Sequence, residues 1–248
     1  MELTKKPTPK NILILGAAGH IGQPLAEYVT REGPDIPTFA CRQKHRKAEN
    51  TAEQVSRGRV LAADYEDLSS LAAARILDES GLPVTYINFG ASFIDNLWIQ
   101  IQPVLLNKTF IWPEHRVPFL DPQDIAEVAG CLFLSDNAKH IGVFHTMNNG
   151  YNWLTYEEVA GILGDELGEK IAFDASYEGF MEFWGPRMGK EAERLWYFFM
   201  FEHANEEQWA LNNFVEPTLG RKPTTVRGWI VEHKDALVHA THPVSRGE

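Results

Sequence analysis

The sequence predicts an α/β fold. Its sheet is shortened and mostly parallel, with helices on both faces and a small, helical, aromatic-rich C-terminal portion. Three observations predict it. Asn11 to Leu15 form an apolar, β-type run, and Gly16, Gly19 and Gly22 follow at three-residue spacing into a helical pattern. Short apolar runs then alternate with helical stretches, the mark of strand–helix–strand units. Beyond Phe173 the composition shifts, and aromatics crowd in at Tyr177, Phe180, Phe183, Trp184 and the run LWYFFMF at 195–201.

The first strand, glycine turn and helix (Ile21 to Glu32) have the geometry that binds a dinucleotide pyrophosphate. Gly16 lets the backbone turn sharply, Gly19 lets it approach the phosphates without a Cβ, and Gly22 allows close helix–strand packing. The unpaired N–H groups and positive dipole end of the helix then face the anion. The fold is therefore Rossmann-like, with Gly16, Ala18, Gly19, His20, Ile21 and Gly22 as cofactor-binding candidates. Gly33 and Pro34 break the helix, and Thr38 to Cys41 make a second strand that ends at Arg42. The residue ending this strand meets the adenosine ribose, where an acid favours NAD and a base favours the 2′-phosphate of NADP. Arg42, with Lys44, His45 and Arg46 behind it, favours NADP(H).

Residues 43–57 are polar with weak helical character, and Arg59 to Ala63 read as a third strand. Asp64 and Tyr65 are placed to border the adenine or, like Asp67, to cap the helix from Leu68 to Glu79. Gly81 and Pro83 end that helix, and Val84 to Ile87 make a fourth strand. Phe89 and Gly90 then fall beside the nicotinamide position. Ser92, Asp95 and Asn96 are the polar groups at a catalytic chain position, or caps of the helix that follows. Phe93, Tyr177, Phe180 and Trp184 are the expected substrate-pocket residues. Asp121-Pro122 opens a helix through Leu134, Gly142 to Met147 alternate as a strand, and Thr155 to Glu158 form a capping box. The last helix runs from Val226 to Val238. Residues 1–150 read as a shortened dinucleotide-binding domain. Residues 151–248 read as a substrate-capping portion that does not fold on its own.

The chain has 248 residues and a net charge of −11, which argues against nucleic acid or an anionic membrane surface as partner. The basic run KHRK at 44–47 reads as a solvated loop. The polar start MELTKKPTPK is not a signal peptide, and no apolar stretch is long enough to span a membrane. Cys41 and Cys131 lie in apolar runs and read as reduced core thiols of a cytoplasmic protein. The nine histidines are scattered, so no metal set is expected. His115 is expected on the solvent side, and His145 mid-strand as a hydrogen-bonded structural residue. There is no Gly-x-Ser-x-Gly elbow for nucleophilic catalysis.

Several segments, in order, resemble the NmrA-like atypical short-chain dehydrogenases. They are GAAGHIG at 16–22, Arg42, ADYEDLSSL at 63–71, SGLPVTYINFGASFIDNL at 80–97, VPFLDPQDIAEVA at 117–129, LTYEEVAGIL at 154–163 and GRKPTTVRGWIVEH at 220–233. That group includes NADPH-sensing regulators, quinone reductases and the festuclavine/agroclavine dehydrogenases. Against its pattern, this chain has an internal deletion of two strand–helix units before SGLP, and no Tyr-x-x-x-Lys. Asn88-Phe89-Gly90 also stands where the group tends to have Arg-Pro and a small residue. The shortened sheet can still close. A crossover of three inter-strand steps spans about 14 Å, and a helix from Leu68 to Glu79 covers about 18 Å. The expected strand order is 3-2-1-4, extended by Val143 to Met147.

The resemblance implies an NADPH-dependent reductase of an apolar secondary metabolite, acting on a C=N or C=C bond. Such hydride transfer needs little acid catalysis, so the missing Tyr-x-x-x-Lys is tolerable. One alternative is a non-redox cyclase or isomerase of secondary metabolism on the same scaffold, its cofactor lost. Another is an NADP(H)-sensing regulator that binds a protein partner. The run at 195–201 reads as a substrate wall, a buried core helix or a homodimer face, since seven consecutive large apolar residues exceed what one helix face hides.

Overall fold

The computed structural model describes residues 13–15, 21–32, 38–41, 59–62, 85–89, 91–135, 138–206 and 209–239. The chain opens with β1 (Leu13–Leu15), α1 (Gly22–Glu32), β2 (Thr38–Cys41), β3 (Arg59–Ala62) and β4 (Tyr86–Phe89). Then come β5 (Ser92–Phe93), a 3-10 turn (Ile94–Asn96), α2 (Leu97–Gln100), α3 (Gln102–Asn107), β6 (Thr109–Ile111) and β7 (Arg116–Leu120). Next are α4 (Pro122–Phe133), a 3-10 turn (Ala138–His140), β8 (Phe144–Met147), β9 (Trp153–Thr155), α5 (Tyr156–Leu167) and β10 (Ala172–Asp174). The chain closes with α6 (Tyr177–Met188), α7 (Lys190–His203), α8 (Val215–Leu219) and α9 (Val226–Val238).

These elements form two compact units. One holds Met1–Asn88, Pro122–Met147 and Phe214–Lys222; the other holds Phe89–Asp121, Asn148–Asn213 and Pro223–Glu248. Strand pairing decides this: β5 pairs with β7 and β7 with β9, which ties residues 89–121 to the chain that follows residue 150.

In the first unit, β1, β2 and β3 form a parallel ladder in the order 3-2-1, with Leu15 opposite Ala40 and Cys41 opposite Ala62. β4 pairs with β8, as the extension by residues 143–147 requires. Both strands differ in extent from the sequence reading. β4 lies two residues further on than Val84 to Ile87. β8 begins at Phe144 because Gly142 takes a positive φ of 72° in the turn after Ala138–His140. Helix α1 packs on α4, burying Ala26 and Val29 on one and Ile125, Ala126 and Val128 on the other. Tyr28 lies across Gly130, where a Cβ would stand 2.3 Å from the ring. The Tyr28 hydroxyl and Cys131 Sγ are 3.2 Å apart, within hydrogen-bonding distance.

In the second unit, β5 runs parallel to β7, β7 antiparallel to β9, and β6 parallel to β10. The core between these strands and the helices is largely aromatic: Phe110, Trp112, Phe119, Tyr156, Phe180, Trp184 and Trp196. The buried Trp184 indole N–H donates to the Ile111 carbonyl at 2.9 Å, so the polar edge of the ring is satisfied inside the core. Thr155 caps α5 as expected, with its hydroxyl accepting from the Glu158 N–H and the Glu158 carboxylate accepting from the Thr155 N–H. Helix α9 packs on α5 and spans Val226–Val238, as its sequence pattern indicates. No helix among the described residues is long and apolar enough to cross a membrane.

Candidate functional site

In a parallel ladder the C-terminal ends of adjacent strands lie along one sheet edge. Leu15, Cys41 and Ala62 therefore end side by side. In the sequence, the glycine turn follows the first, Arg42 follows the second, and Asp64 and Tyr65 come shortly after the third. Gly16, Ala18, Gly19, His20, Arg42, Asp64, Tyr65 and Gly90 lie outside the described residues, as does the stretch before Gly81 where the sequence reading expects an internal deletion. Ile21 and Gly22 are described. Gly22 opens α1, and the Ile21 carbonyl accepts from the Leu25 N–H at 3.1 Å. The first turn of this 11-residue helix holds no acidic residue, so nothing on the helix neutralises its positive end.

Phe89 ends β4 and Phe93 ends β5. Their rings meet edge to face at 5.9 Å, with Phe89 still 37 % exposed. Ser92 sits beside Phe93, and its hydroxyl lies 2.9 Å from that of Tyr156. Tyr156 is fully buried, which raises its hydroxyl above the ordinary phenol range; the bond to Ser92 pulls the other way without cancelling this. Asp95 and Asn96 occupy the 3-10 turn, and neither side chain caps α2. The capping expected of this trio is thus replaced, at Ser92, by a bond to a buried tyrosine from α5.

The other expected pocket residues gather elsewhere in the second unit. Tyr177 opens α6 and meets Trp196 edge to face at 5.3 Å. Phe180 packs on Trp196 and Trp112, and Trp184 meets Trp112 at 5.6 Å; both are buried in the core. Phe93 and this group are thus two separate aromatic clusters.

His115 corrects the sequence reading. It is 2 % exposed, not on the solvent side, with its ring stacked on Phe199 at 4.7 Å and tilted against Tyr156 at 4.9 Å. Its Nδ1 lies 3.2 Å from the Pro113 carbonyl, which can only accept, so Nδ1 carries the proton of the neutral ring. Burial pushes its pKa down to about 4, outweighing that bond and the pull of Glu206. Next to it, Glu206 accepts from the Arg116 N–H at 2.7 Å and pairs with His203 Nδ1 at 2.8 Å. Burial alone would raise the Glu206 carboxyl, but these contacts hold it below the usual carboxylate range.

His145 does lie within a strand and is hydrogen-bonded, to a partner no sequence signal indicated. His140 Nδ1 and His145 Nε2 are 2.9 Å apart, and Phe214 stacks on His145 at 4.1 Å. The run Asn148–Asn152 was also missed as a feature. The Asn149 side chain accepts from the Tyr151 and Asn152 N–H groups and donates to Asn152 Oδ1 and the Thr224 carbonyl. Asn148 Oδ1 accepts from Gly150 and Asn212, and Asn152 Oδ1 from the Val226 N–H at the start of α9. The turn-forming composition Asn-Asn-Gly was its only trace in the sequence.

No protein-family model and no curated protein sequence matches the chain. Solved structures do. The triphenylmethane reductase of Citrobacter sp., complexed with NADP(H), matches with a TM-score of 0.70 at 15% identity, over 90% of this chain and 99% of that one. An isoflavone reductase matches with a TM-score of 0.60 at 11% identity, over 91% of this chain and 99% of that one. A mutant NmrA matches with a TM-score of 0.54 at 13% identity, over 86% of this chain and 95% of that one. The chain has the Rossmann-like α/β fold of the NmrA-like and isoflavone-reductase-type proteins.

Proposed function

We propose that the protein is an NADP(H)-dependent reductase that acts on an apolar small molecule at a C=N or C=C bond. The observation that carries this reading is the parallel edge at Leu15, Cys41 and Ala62, from which the glycine turn and Arg42 continue in sequence. The acid-free first turn of α1 fits an anion, and a guanidinium directly after β2 fits a 2′-phosphate. The triphenylmethane reductase of like fold is complexed with NADP(H), and the isoflavone reductase is a reductase too; both support the same reading.

In this proposal the N-terminus of α1 and the turn before it hold the pyrophosphate, and Arg42 holds the ribose phosphate. Bound NADPH supplies the hydride. Phe89 and Phe93 present apolar rings of the kind that line a flat, apolar ligand. Among Ser92, Asp95 and Asn96, Ser92 is the best-placed polar contact for substrate. Tyr156 holds its hydroxyl, and one donor with two lone pairs leaves a hydrogen-bonding valence over. No side chain here needs to act as a strong acid, which suits a C=N or activated C=C bond better than a ketone.

The test is calorimetric titration of the purified protein with NADPH and NADP⁺, followed by NADPH oxidation assays on cationic and conjugated aromatic compounds. Micromolar binding with turnover of an aromatic C=N or C=C substrate is the expected result. Absence of binding by either nucleotide overturns the proposal.

A further inference from the structure

We propose that Trp112, His115, Tyr156 and Phe199 form a ligand subsite for an aryl ring bearing a hydroxyl, with Phe199 filling the place that the ligand ring takes. The four rings meet in a closed loop. Between centroids, Trp112 lies 6.0 Å from Tyr156 and 5.3 Å from Phe199. His115 lies 4.9 Å from Tyr156 and 4.7 Å from Phe199. All of them belong to the second unit.

Polar edges set this loop apart from the aromatic core around it. Trp112 is 7% exposed, and its buried indole N–H has no hydrogen-bond partner. Trp184, in the same core, meets the same need at the Ile111 carbonyl. A bare buried donor is costly, and folded proteins keep few of them. His115 supplies the opposite half. Its Nδ1 carries the proton and faces the Pro113 carbonyl, so its Nε2 presents a lone pair. Burial holds the ring neutral, with a pKa of about 4, so the lone pair is present at neutral pH. One ring of the loop therefore gives a hydrogen bond and another takes one. A hydroxyl answers both, whereas a hydrocarbon answers neither.

Phe199 is the replaceable member. Trp112, His115 and Tyr156 are buried, but Phe199 is only partly so and packs against the core from α7. Ala192 and Trp196 are the buried residues of that helix, so the Phe199 ring can turn outward without unseating it. Its stack on His115, at an interplanar angle of 24°, is the contact an aryl ligand would inherit. Tyr156 joins the loop to Ser92 through their hydroxyls, 2.9 Å apart. As a substrate subsite the loop rests on the reductase reading: it anchors one end of the molecule, and Ser92 meets the end to be reduced. As a ligand site it does not depend on that reading.

The test uses the full chain without nucleotide, with phenol and toluene as probes, and follows the assigned indole N–H signals of the seven tryptophans by NMR. Phenol is expected to move the Trp112 signal saturably and leave that of Trp184 in place. It should bind about fivefold or more tighter than toluene, through the two hydrogen bonds. A plain apolar core has the reverse preference, because burying an unpaired hydroxyl is costly. Phe199→Ala should tighten phenol binding about tenfold by removing the competing ring, and Trp112→Phe should erase the preference for phenol. A Trp112 signal that phenol leaves unmoved overturns the proposal. So does toluene binding as tightly as phenol, or a Phe199→Ala chain that binds phenol no better. The first two outcomes are read on the parent and need no variant to fold. A chain that binds phenol in this way but binds no NADPH keeps the subsite and loses the reductase reading.

Discussion

Arg221 donates to Asp124 at 2.8 Å, and the Asp124 side chain has no solvent exposure at all. The same guanidinium also reaches Glu127, one turn further along α4. The segment after α8 is thereby fastened to the helix that packs on α1. A carboxylate this buried depends on its cation, because an uncompensated charge in the interior is costly. Arg221→Ala is expected to lower unfolding stability by about 2–3 kcal/mol in urea titrations. Arg227, which pairs with Asp165 and Glu166 at the surface, is the control. Arg227→Ala should shift the midpoint little, since exposed pairs contribute little. Equal losses in the two variants would show that burial of Asp124 is not what sets the value of the Arg221 contact.

Asn149 is buried and uses both ends of its side chain, so it should tolerate no replacement. Asn149→Ala removes the acceptor of the Tyr151 and Asn152 N–H groups and the donor to the Thr224 carbonyl, and a loss of about 2 kcal/mol is expected in chemical denaturation. Gly150 beside it has φ of 71°, and a Cβ there would stand 2.7 Å from the Asn212 carbonyl oxygen. Gly150→Ala should therefore also destabilise, by about 1–3 kcal/mol. A neutral Gly150→Ala would mean the 209–213 segment moves aside without cost.

His115 should make the protein acid-sensitive in a defined window. Its pKa is about 4 in the fold and near the ordinary 6.5 in the unfolded chain. Below pH 6.5 the unfolded chain takes a proton that the native ring refuses. Stability is therefore highest above pH 6.5 and falls as the pH drops towards 4, by about 3 kcal/mol from this residue. Burial lowers the pKa of His140 and His145 too, which adds in the same direction. Urea midpoints measured from pH 7 to pH 5 should fall less in His115→Phe than in the parent. Identical slopes would remove His115 as a contributor.

Arg42 should select the cofactor. Arg42→Ala is expected to weaken NADP(H) binding by about tenfold or more, through loss of a charge-assisted phosphate contact, and to leave NAD(H) binding nearly unchanged. Calorimetric titration with both nucleotides measures the ratio. Equal weakening of both would mean that Arg42 does not read the 2′-phosphate.

Elements governed by local chemistry were legible in the sequence. The Thr155 capping box and the α9 bounds at Val226 and Val238 stand where turn and cap residues put them. The second strand matches its apolar run at Thr38–Cys41. Short strands without such punctuation were not legible. Among them are Thr109–Ile111, Trp153–Thr155 and Ala172–Asp174, which exist because a partner strand is present and not because of propensity. For the same reason β4 starts and ends two residues later than its β-branched run.

The sequence by itself determined the order of strand, glycine turn and helix, the place of Arg42 after the second strand, and hence the class of fold. These depend on backbone freedom, periodicity and charge within a few residues. Tertiary structure alone decided which polar groups meet. It buried His115 between Phe199 and Tyr156, paired Ser92 with Tyr156, joined His140 to His145, and left Tyr197, Phe198 and Phe201 exposed while burying Trp196. Burial and pairing between residues distant in sequence depend on how elements pack, and no local pattern encodes that.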